Sequence, residues 1–414
     1  FYHYLWDFLG AVRYGFPRRK LTFIGVPGTR GKSTTVNFIT KILEGAGNKV
    51  VSNSSIRFKV GPTERENDKK MGMPGRFFMQ KLLWQGVKAG CNYAVLEVTS
   101  EGIRQHRHAF INFDTAVFTN LSPEHIESHG GIENYRNEKL KLLKATKNVH
   151  VINIDNEHAK YFLGTPAKKI IEFGIGGKKN HSNILKNVRM IAENVNGMNF
   201  TVNETQFRLN LLGNFNVYNA LAAIATVSAY GISLEVCQKV LEKVQGIPGR
   251  MEIVNKEPLV VVDYAHTPVQ LEEAYKSLHG KNLICVLGSC GGGRDKWKRP
   301  VLGEIAAKYC RDIIITDEDP YDEDPLEIME KVAEGVGEKP HSIVVDRKEA
   351  IKKAIALAKP ASPVGPRPEA NGRGLQPREV AVIITGKGSE NVMCVKNGKK
   401  IPFDDRQVVR EATK

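Results

Sequence analysis

The stretch LTFIGVPGTRGKSTTVNFITKIL, residues 21–43, decides the fold. Leu21 to Val26 is an apolar run of strand length, Pro27 to Gly31 is a glycine turn, and Val36 to Leu43 repeats apolar residues at helical spacing. A strand that enters a glycine turn and leaves as a helix is suited to holding phosphate. Glycines let backbone N–H groups converge on phosphate oxygens, and the helix N-terminus adds partial positive charge. In such a loop Lys32 is expected to reach the outer phosphates and the Ser33 hydroxyl can ligate Mg²⁺. Gly28, Thr29, Arg30, Gly31, Lys32, Ser33 and Thr34 are therefore the candidate ATP-binding residues. The strict G-x-x-x-x-G-K-[ST] pattern fails at its first position, where Val26 stands between Gly25 and Gly28. A glycine turn without a ligand is the alternative.

Outward from this stretch, strand-length apolar runs alternate with amphipathic helical stretches, the mark of parallel α/β architecture. Strands are expected at Leu21 to Val26, Tyr93 to Val98, Thr115 to Thr119, His150 to Ile154, Leu259 to Val262, Leu283 to Leu287, Asp312 to Thr316 and Val380 to Thr385. Short alternating runs from about Ser182 to Leu212, with turn signals at Asn194 to Gly197, predict a small antiparallel excursion. Phe215 to Tyr230 reads as a buried helix. The punctuation at Gly246 to Arg250 reads as an interdomain hinge. This gives an aromatic segment (1–20), a P-loop parallel-sheet domain carrying the excursion (21–247) and a Rossmann-like α/β domain (248–414). Prolines and glycines crowding 360–378 predict a surface loop. Leu5, Leu9 and Val12 give the opening segment near-helical spacing, for a helix docked on its own domain or, alternatively, lying on a membrane surface.

The chain has 414 residues, 41% hydrophobic and 25% charged, which excludes a small disulfide scaffold and a disordered chain. Its net charge of +15 favours anionic partners without choosing among them. Lysine and arginine are spread along the chain and no nucleic-acid reading motif occurs, so no nucleic-acid partner is expected. Six cysteines without a C-x-x-C pair point to a reducing cytoplasm and no zinc site. No run is long enough to span a membrane, and no signal peptide is expected.

Glu97 ends the strand at Tyr93 to Val98, and the strand at Thr115 to Thr119 runs into Asn120-Leu-Ser-Pro-Glu124-His125. Strand C-termini beside a phosphate loop are where α/β sheets bind ligands, so Glu97 and His125 are candidate Mg²⁺ ligands. Either one taken alone reads equally as a capping or surface group. Lys139 reads on local physics as part of a solvated helix face, no different from Lys141.

Taken together these residues resemble the Mur ligase family of ATP-dependent amide-forming enzymes. Within it they resemble the branch that adds a diamino acid to UDP-N-acetylmuramoyl-L-alanyl-D-glutamate. The likeness rests on GTRGKS (28–33), EVTSEGIRQHR (97–107), TNLSPEH (119–125), PGRME (248–252), DYAHTP (263–268), GGGRDKWKRP (291–300) and GKGSE (386–390). It implies that Lys139 is carbamylated and helps to hold Mg²⁺, joining Lys32, Glu97 and His125 as catalytic residues. Thr99, Gln105 and Arg107 would contact the UDP-muramoyl dipeptide, Asn219 would face adenine and Arg250 would approach the ATP phosphates. Arg294, Gly386 and Glu390, with Glu318 and Asp319, would hold the incoming amino acid, and Asp263 and His266 would lie near the nucleotide. The implied reaction makes an acyl phosphate from ATP, and domain closure at the hinge brings up the amine that displaces phosphate.

The chain also departs from the family. About twenty residues precede the first strand, fewer than the uridine-binding N-terminal domain of full-length relatives needs. The resemblance therefore implies a short form, a domain lost before Phe1, or a partner polypeptide that recognises uridine. Where diaminopimelate-adding relatives read Asp-Asn-Pro-Arg, this chain has Glu318-Asp319-Pro320-Tyr321 among six acids. Those acids read either as a pocket for a cationic side chain, such as that of lysine, or as a solvated acidic loop. A folylpolyglutamate-synthase-like ligase and the ATP-binding subunit of a cell-wall amidotransferase are the competing enzyme readings.

Overall fold

Near-continuous apolar strands need helices on both faces, and the sequence supplies them in alternation. The computed structural model describes residues 2–75, 77–124, 126–175, 185, 188–194, 197–359 and 379–414. It divides into two compact units, Phe1–Gln245 and Gly246–Lys414.

The first unit opens with helix α1 (Tyr2–Arg13), then β1 (Thr22–Pro27), α2 (Lys32–Gly45), β2 (Val50–Asn53), β3 (Arg57–Val60), β4 (Thr63–Glu66) and α3 (Phe77–Lys88). It continues through β5 (Tyr93–Val98), α4 (Ser100–Arg104), β6 (Phe113–Phe118), α5 (Ile126–His129), α6 (Ile132–Ala145), β7 (Val149–Asn153), α7 (Ala159–Leu163) and β8 (Lys169–Phe173). These strands form one sheet in the order β4-β3-β2-β5-β1-β6-β7-β8, parallel from β2 to β8. β9 (Arg189–Asn194), β10 (Gly197–Val202) and β11 (Thr205–Leu209) make the expected antiparallel sheet. α8 (Asn214–Ser228), buried almost throughout, and α9 (Leu234–Glu242) close the unit. Residues 195 and 196 of the expected turn, and the whole 360–378 segment, lie outside the described residues.

β1 lies between β5 and β6, with Pro27 opposite Val98 and Gly25 opposite Ala116. The C-terminal ends of these three strands thus share one rim. The β2–β4 hairpins escaped the sequence reading because β3 and β4 read RFKV and TERE, with the charged side chains that protect an edge.

The second unit runs β12 (Glu252–Lys256), β13 (Leu259–Val262), α10 (Pro268–Lys276), β14 (Asn282–Leu287), α11 (Lys298–Tyr309), β15 (Cys310–Ile315), α12 (Pro325–Val336), β16 (His341–Ile343) and α13 (Arg347–Ala358). β17 (Val380–Ile384), β18 (Val392–Val395), β19 (Lys399–Pro402) and α14 (Asp405–Ala412) follow. Its sheet has the order β12-β13-β17-β14-β15-β16, with only β12 antiparallel, and β18–β19 is a separate hairpin.

A fully buried ion pair fastens this unit. Arg347 donates from Nε and Nη2 to the two carboxylate oxygens of Asp405, each at 2.8 Å, and from Nη2 to the Thr385 carbonyl at 2.7 Å. It therefore joins the starts of α13 and α14 to the end of β17. Removing one partner leaves a buried unpaired charge, so Asp405→Ala should lower unfolding stability by about 3–5 kcal/mol in urea denaturation. The double replacement Arg347→Met/Asp405→Leu should recover most of that loss.

Candidate active site

In the first unit the phosphate loop spans the turn from β1 to α2. Gly31 caps α2 with φ +76°, and a Cβ there would lie 2.1 Å from Asn219 Oδ1. A Cβ on Gly28 would lie 1.9 Å from Thr119 Oγ1. The loop backbone is held from the end of β6. The Thr29 N–H donates to the Asn120 carbonyl (2.9 Å) and the Arg30 N–H to Asn120 Oδ1 (2.9 Å). In return Thr119 Oγ1 (2.7 Å) and Asn120 Nδ2 (3.1 Å) donate to the Arg30 carbonyl. Lys32 Nζ folds back onto the Thr29 carbonyl at 2.9 Å.

One turn away, Glu97 at the end of β5 is buried, and its Oε2 accepts from Ser33 Oγ (2.7 Å) and the Ser55 N–H (2.8 Å). The Ser33 and Ser55 hydroxyls are 2.8 Å apart. Two hydroxyls and a carboxylate form a hard-oxygen donor set that suits Mg²⁺, which is commonly held by one or two carboxylates plus substrate phosphates. Among the described residues no three His, Cys, Asp or Glu side chains gather into a protein-only cage.

Lys139 sits on the inner face of α6 and is 1% exposed. Its Nζ donates to the Gly28 carbonyl at 2.8 Å and lies 4.3 Å from the centre of the Tyr135 ring. The Tyr135 hydroxyl in turn meets Thr29 Oγ1 at 3.2 Å. Burial, reinforced by the Lys32 ammonium, holds the Lys139 amine well below the ordinary lysine range, against the opposing pull of Glu124 and Glu97. The environment thus favours the unprotonated, nucleophilic form of this amine beside the phosphate loop.

Beyond β5, Thr99 caps α4 by accepting from the Gly102 N–H at 3.0 Å. Arg107 donates to the Met73 carbonyl (2.6 Å) and to Gln105 Oε1 (2.6 Å), which joins this segment to Gly72-Met73-Pro74.

The second unit has its own rim, where β13, β17, β14 and β15 end side by side. Lys387 is fully buried, with its Nζ 2.9 Å from Asp319 Oδ1 and 3.2 Å from Glu390 Oε2. Glu318 is buried beside it. Its Oε1 accepts from Cys290 Sγ at 3.1 Å, while its Oε2 has no hydrogen-bond partner, and burial raises its carboxyl above the ordinary range. Gly386, with φ +108°, is required there because a Cβ would fall 1.9 Å from Glu318 Oε2. Arg250 stacks 4.2 Å over Tyr264, whose hydroxyl donates to Glu390 Oε1 at 3.4 Å. Asp263 accepts from the Met251 (2.7 Å) and Ala265 (2.8 Å) N–H groups, and His266 Nδ1 lies 2.8 Å from the Tyr264 carbonyl.

The family model described as the Mur ligase middle domain matches residues 26–227, and the one described as the Mur ligase glutamate ligase domain matches residues 249–364. A protein of Syntrophomonas wolfei subsp. wolfei named UDP-N-acetylmuramoyl-L-alanyl-D-glutamate--2,6-diaminopimelate ligase is 35% identical, covering 97% of this chain and 80% of that protein. The chain belongs to the Mur ligase family. It is thus an ATP-dependent ligase that joins an acid to an amino acid. A namesake from Clostridium tetani is 36% identical over 96% of this chain and 79% of its own length. A solved structure of a ligase with the same name matches with a TM-score of 0.63 at 28% identity, over 99% of this chain and 82% of that one. Mycobacterium tuberculosis folylpolyglutamate synthase, at 17% identity and a TM-score of 0.71 over 92% of each chain, shares the fold.

In this Mur ligase the loop residues Gly28 to Thr34, Glu97 and Lys139 come together in the first unit. His125 lies outside the described residues. Asn219 is buried on α8, where its Oδ1 accepts from Thr35 Oγ1 at 3.5 Å. Glu318, Asp319, Gly386 and Glu390 gather in the second unit, whereas Arg294 is exposed on the glycine loop. Of the six acids Glu318 and Asp319 are buried, while Asp322 and Asp324 are exposed. Asp322 accepts from the Asn397 N–H, Asp324 caps α12 and Glu323 pairs with Arg299 and Lys296. Sequence reasoning missed Ser55 and Lys387. The spacing of Tyr135, Lys139 and Leu142, all on one helix face, was a signal for Lys139.

Because Lys139 is a buried amine, unfolding takes up a proton at any pH between its depressed value and the ordinary lysine range, and stability rises with pH across that window. Lys139→Met should therefore leave the first unit at least as stable as the parent at neutral pH in carbon-dioxide-depleted buffer. Thermal melting should show that advantage fading as the pH approaches the usual lysine range.

Proposed function

We propose that this Mur ligase adds a diamino acid, lysine or diaminopimelate, to UDP-N-acetylmuramoyl-L-alanyl-D-glutamate in peptidoglycan precursor synthesis. The observation that carries this reading is the Lys139–Gly28–Lys32–Ser33–Glu97 arrangement, together with relatives of that name across nearly the whole chain. The substrate carboxylate attacks the γ-phosphorus of ATP, giving an acyl phosphate and ADP. The amine of the amino acid then displaces inorganic phosphate and loses a proton, leaving the amide.

Lys32, the loop N–H groups and the N-terminus of α2 neutralise charge on the phosphoryl group in transit. Ser33, Ser55 and Glu97 would hold Mg²⁺, which would supply positive charge against the phosphates. In its unprotonated form, which burial favours, the Lys139 amine would take up carbon dioxide, releasing one proton and forming a carbamate. That would turn a would-be cation into an anionic oxygen ligand for Mg²⁺. Thr99, Gln105 and Arg107 would bind the muramoyl dipeptide, Asn219 would lie toward adenine, and Arg250 toward the ATP phosphates. In the second unit, the unpartnered Oε2 of Glu318 supports recognition of an ammonium group, with Asp319, Glu390, Gly386 and Arg294 forming the rest of the amino-acid site.

Phosphate release from ATP and Mg²⁺ should depend on both the UDP-muramoyl dipeptide and one diamino acid. Silence with lysine and diaminopimelate, combined with turnover of a folate and glutamate, would overturn the assignment. Glu97→Gln should lower turnover by about 10²–10³-fold and raise the Mg²⁺ requirement. In carbon-dioxide-depleted buffer the parent should lose activity that bicarbonate restores, and Lys139→Met should show no such recovery.

A further inference from the structure

Between β4 and α3 the chain passes through Met71-Gly72-Met73-Pro74 without forming helix or strand, yet Gly72, Met73 and Pro74 are buried. Buried carbonyls outside a helix or a ladder need donors from elsewhere. Here three successive carbonyls each accept from a side chain. Asn67 Nδ2 donates to that of Met71 (2.9 Å), Asn53 Nδ2 to that of Gly72 (2.5 Å) and Arg107 Nη1 to that of Met73 (2.6 Å). Asn67 Nδ2 also donates to the Ser54 carbonyl at 2.6 Å. The segment is thereby tied to the turn between β2 and β3, which carries Ser55.

This segment touches both halves of the first unit's site. Gly72 lies against the Glu97 carboxylate, since a Cβ there would fall 2.4 Å from Oε1 and 2.7 Å from Cδ. The other oxygen of that carboxylate accepts from Ser33 Oγ and the Ser55 N–H. One residue further on, the Met73 carbonyl holds Arg107, and a Cβ on Gly75 would fall 2.9 Å from Arg107 Nε. A single peptide thus separates the backing of the carboxylate from the anchor of the guanidinium.

Packing does not account for Asn53. It is fully buried, and its Oδ1 has no hydrogen-bond partner. An amide with one end unpaired in the interior is destabilising by itself, and an apolar side chain of similar size would avoid that. What the asparagine adds is its bond to Gly72.

We propose that Asn53, together with Asn67, is a positioning residue. By fixing the Met71 and Gly72 carbonyls, the pair keeps the Glu97 carboxylate turned toward Ser33 and Ser55 and sets the place of the Arg107 guanidinium. Both act through the backbone rather than on the reacting atoms. The inference rests on the reading of Glu97 as a Mg²⁺ ligand and of Arg107 as a contact for the muramoyl dipeptide. Metal and dipeptide then share one support, and loss of either asparagine loosens both.

The test titrates Mn²⁺, which like Mg²⁺ takes oxygen ligands, into the ADP-loaded full chain, with free Mn²⁺ read by electron paramagnetic resonance. Asn53→Ala and Asn67→Ala should each weaken Mn²⁺ binding by roughly fivefold, the effect of losing one hydrogen bond. The KM for the UDP-muramoyl dipeptide should rise alongside, while kcat at saturating Mg²⁺ and dipeptide stays near that of the parent. Gly72→Ala keeps both asparagines but sets a methyl group against Glu97 Oε1, and should weaken Mn²⁺ binding in the same way. Folded variants that match the parent in Mn²⁺ affinity and dipeptide KM would overturn the inference. So would a fall in kcat or melting temperature alone, which a purely structural role would give. Glu97→Gln is the control. If it leaves Mn²⁺ affinity unchanged, the metal reading fails and the inference fails with it. If the parent does not turn over the dipeptide, the substrate reading fails, and Mn²⁺ affinity alone decides the role of the asparagines.

Discussion

The parallel pairing of β1 with β5 on one side and β6 on the other is the constraint on which the first unit's chemistry depends. A phosphate loop is a length of irregular backbone, and its peptide groups need partners if they are to stay aimed at one point. Here the partners come from the turn that follows β6, where Thr119 and Asn120 fix both the N–H and the carbonyl of Arg30. β5 delivers Glu97 to the other side, within reach of the first turn of α2. Register between the strands thus becomes register between catalytic groups. A one-residue slip would turn these side chains to the opposite face.

Both units bury ionisable groups at these rims, which works against folding. Lys139 lies under the phosphate loop, Lys387 is enclosed between Asp319 and Glu390, and Glu318 keeps one oxygen unpaired. Such groups do not reorganise when charge develops on a substrate, and in low dielectric each one counts for more than it would in water. The apolar clusters behind them supply the stability that the rims give up. In the second unit the Arg347–Asp405 pair also ties helix ends to the strand that leads into Gly386.

Much of this was legible in the sequence, for reasons that differ from residue to residue. Gly28 to Ser33 could be read because strand, turn and helix are contiguous, so the chemistry follows from local order. Glu97 could be read because it ends an apolar run, and strand ends are where such sheets bind ligands. Lys139 resisted because its charge argues for solvent more strongly than its position between Tyr135 and Leu142 argues against it. Ser55 lies in a serine-rich turn with no pattern of its own, and only the fold brings it to Glu97. The acids around Tyr321 could not be sorted by composition, since capping, pairing and ligand recognition all use the same carboxylate. The backbone that separates them, with Asp319 and Tyr321 both at positive φ, is set by tertiary contacts.

The strand order of the second unit also bears on how the chain is made. β17 lies between β13 and β14, although it is synthesised after every other strand of that sheet. Until Val380–Ile384 leaves the ribosome, β13 and β14 each present an unpaired inner edge, and the carboxylate that receives Arg347 has not yet been made. The first unit has its whole sheet in hand by Phe173 and can close while translation continues. The nascent chain therefore passes through a stage with one finished unit and one sheet open at its centre. That open centre is where a chaperone, or misassembly with a neighbouring nascent chain, would act first.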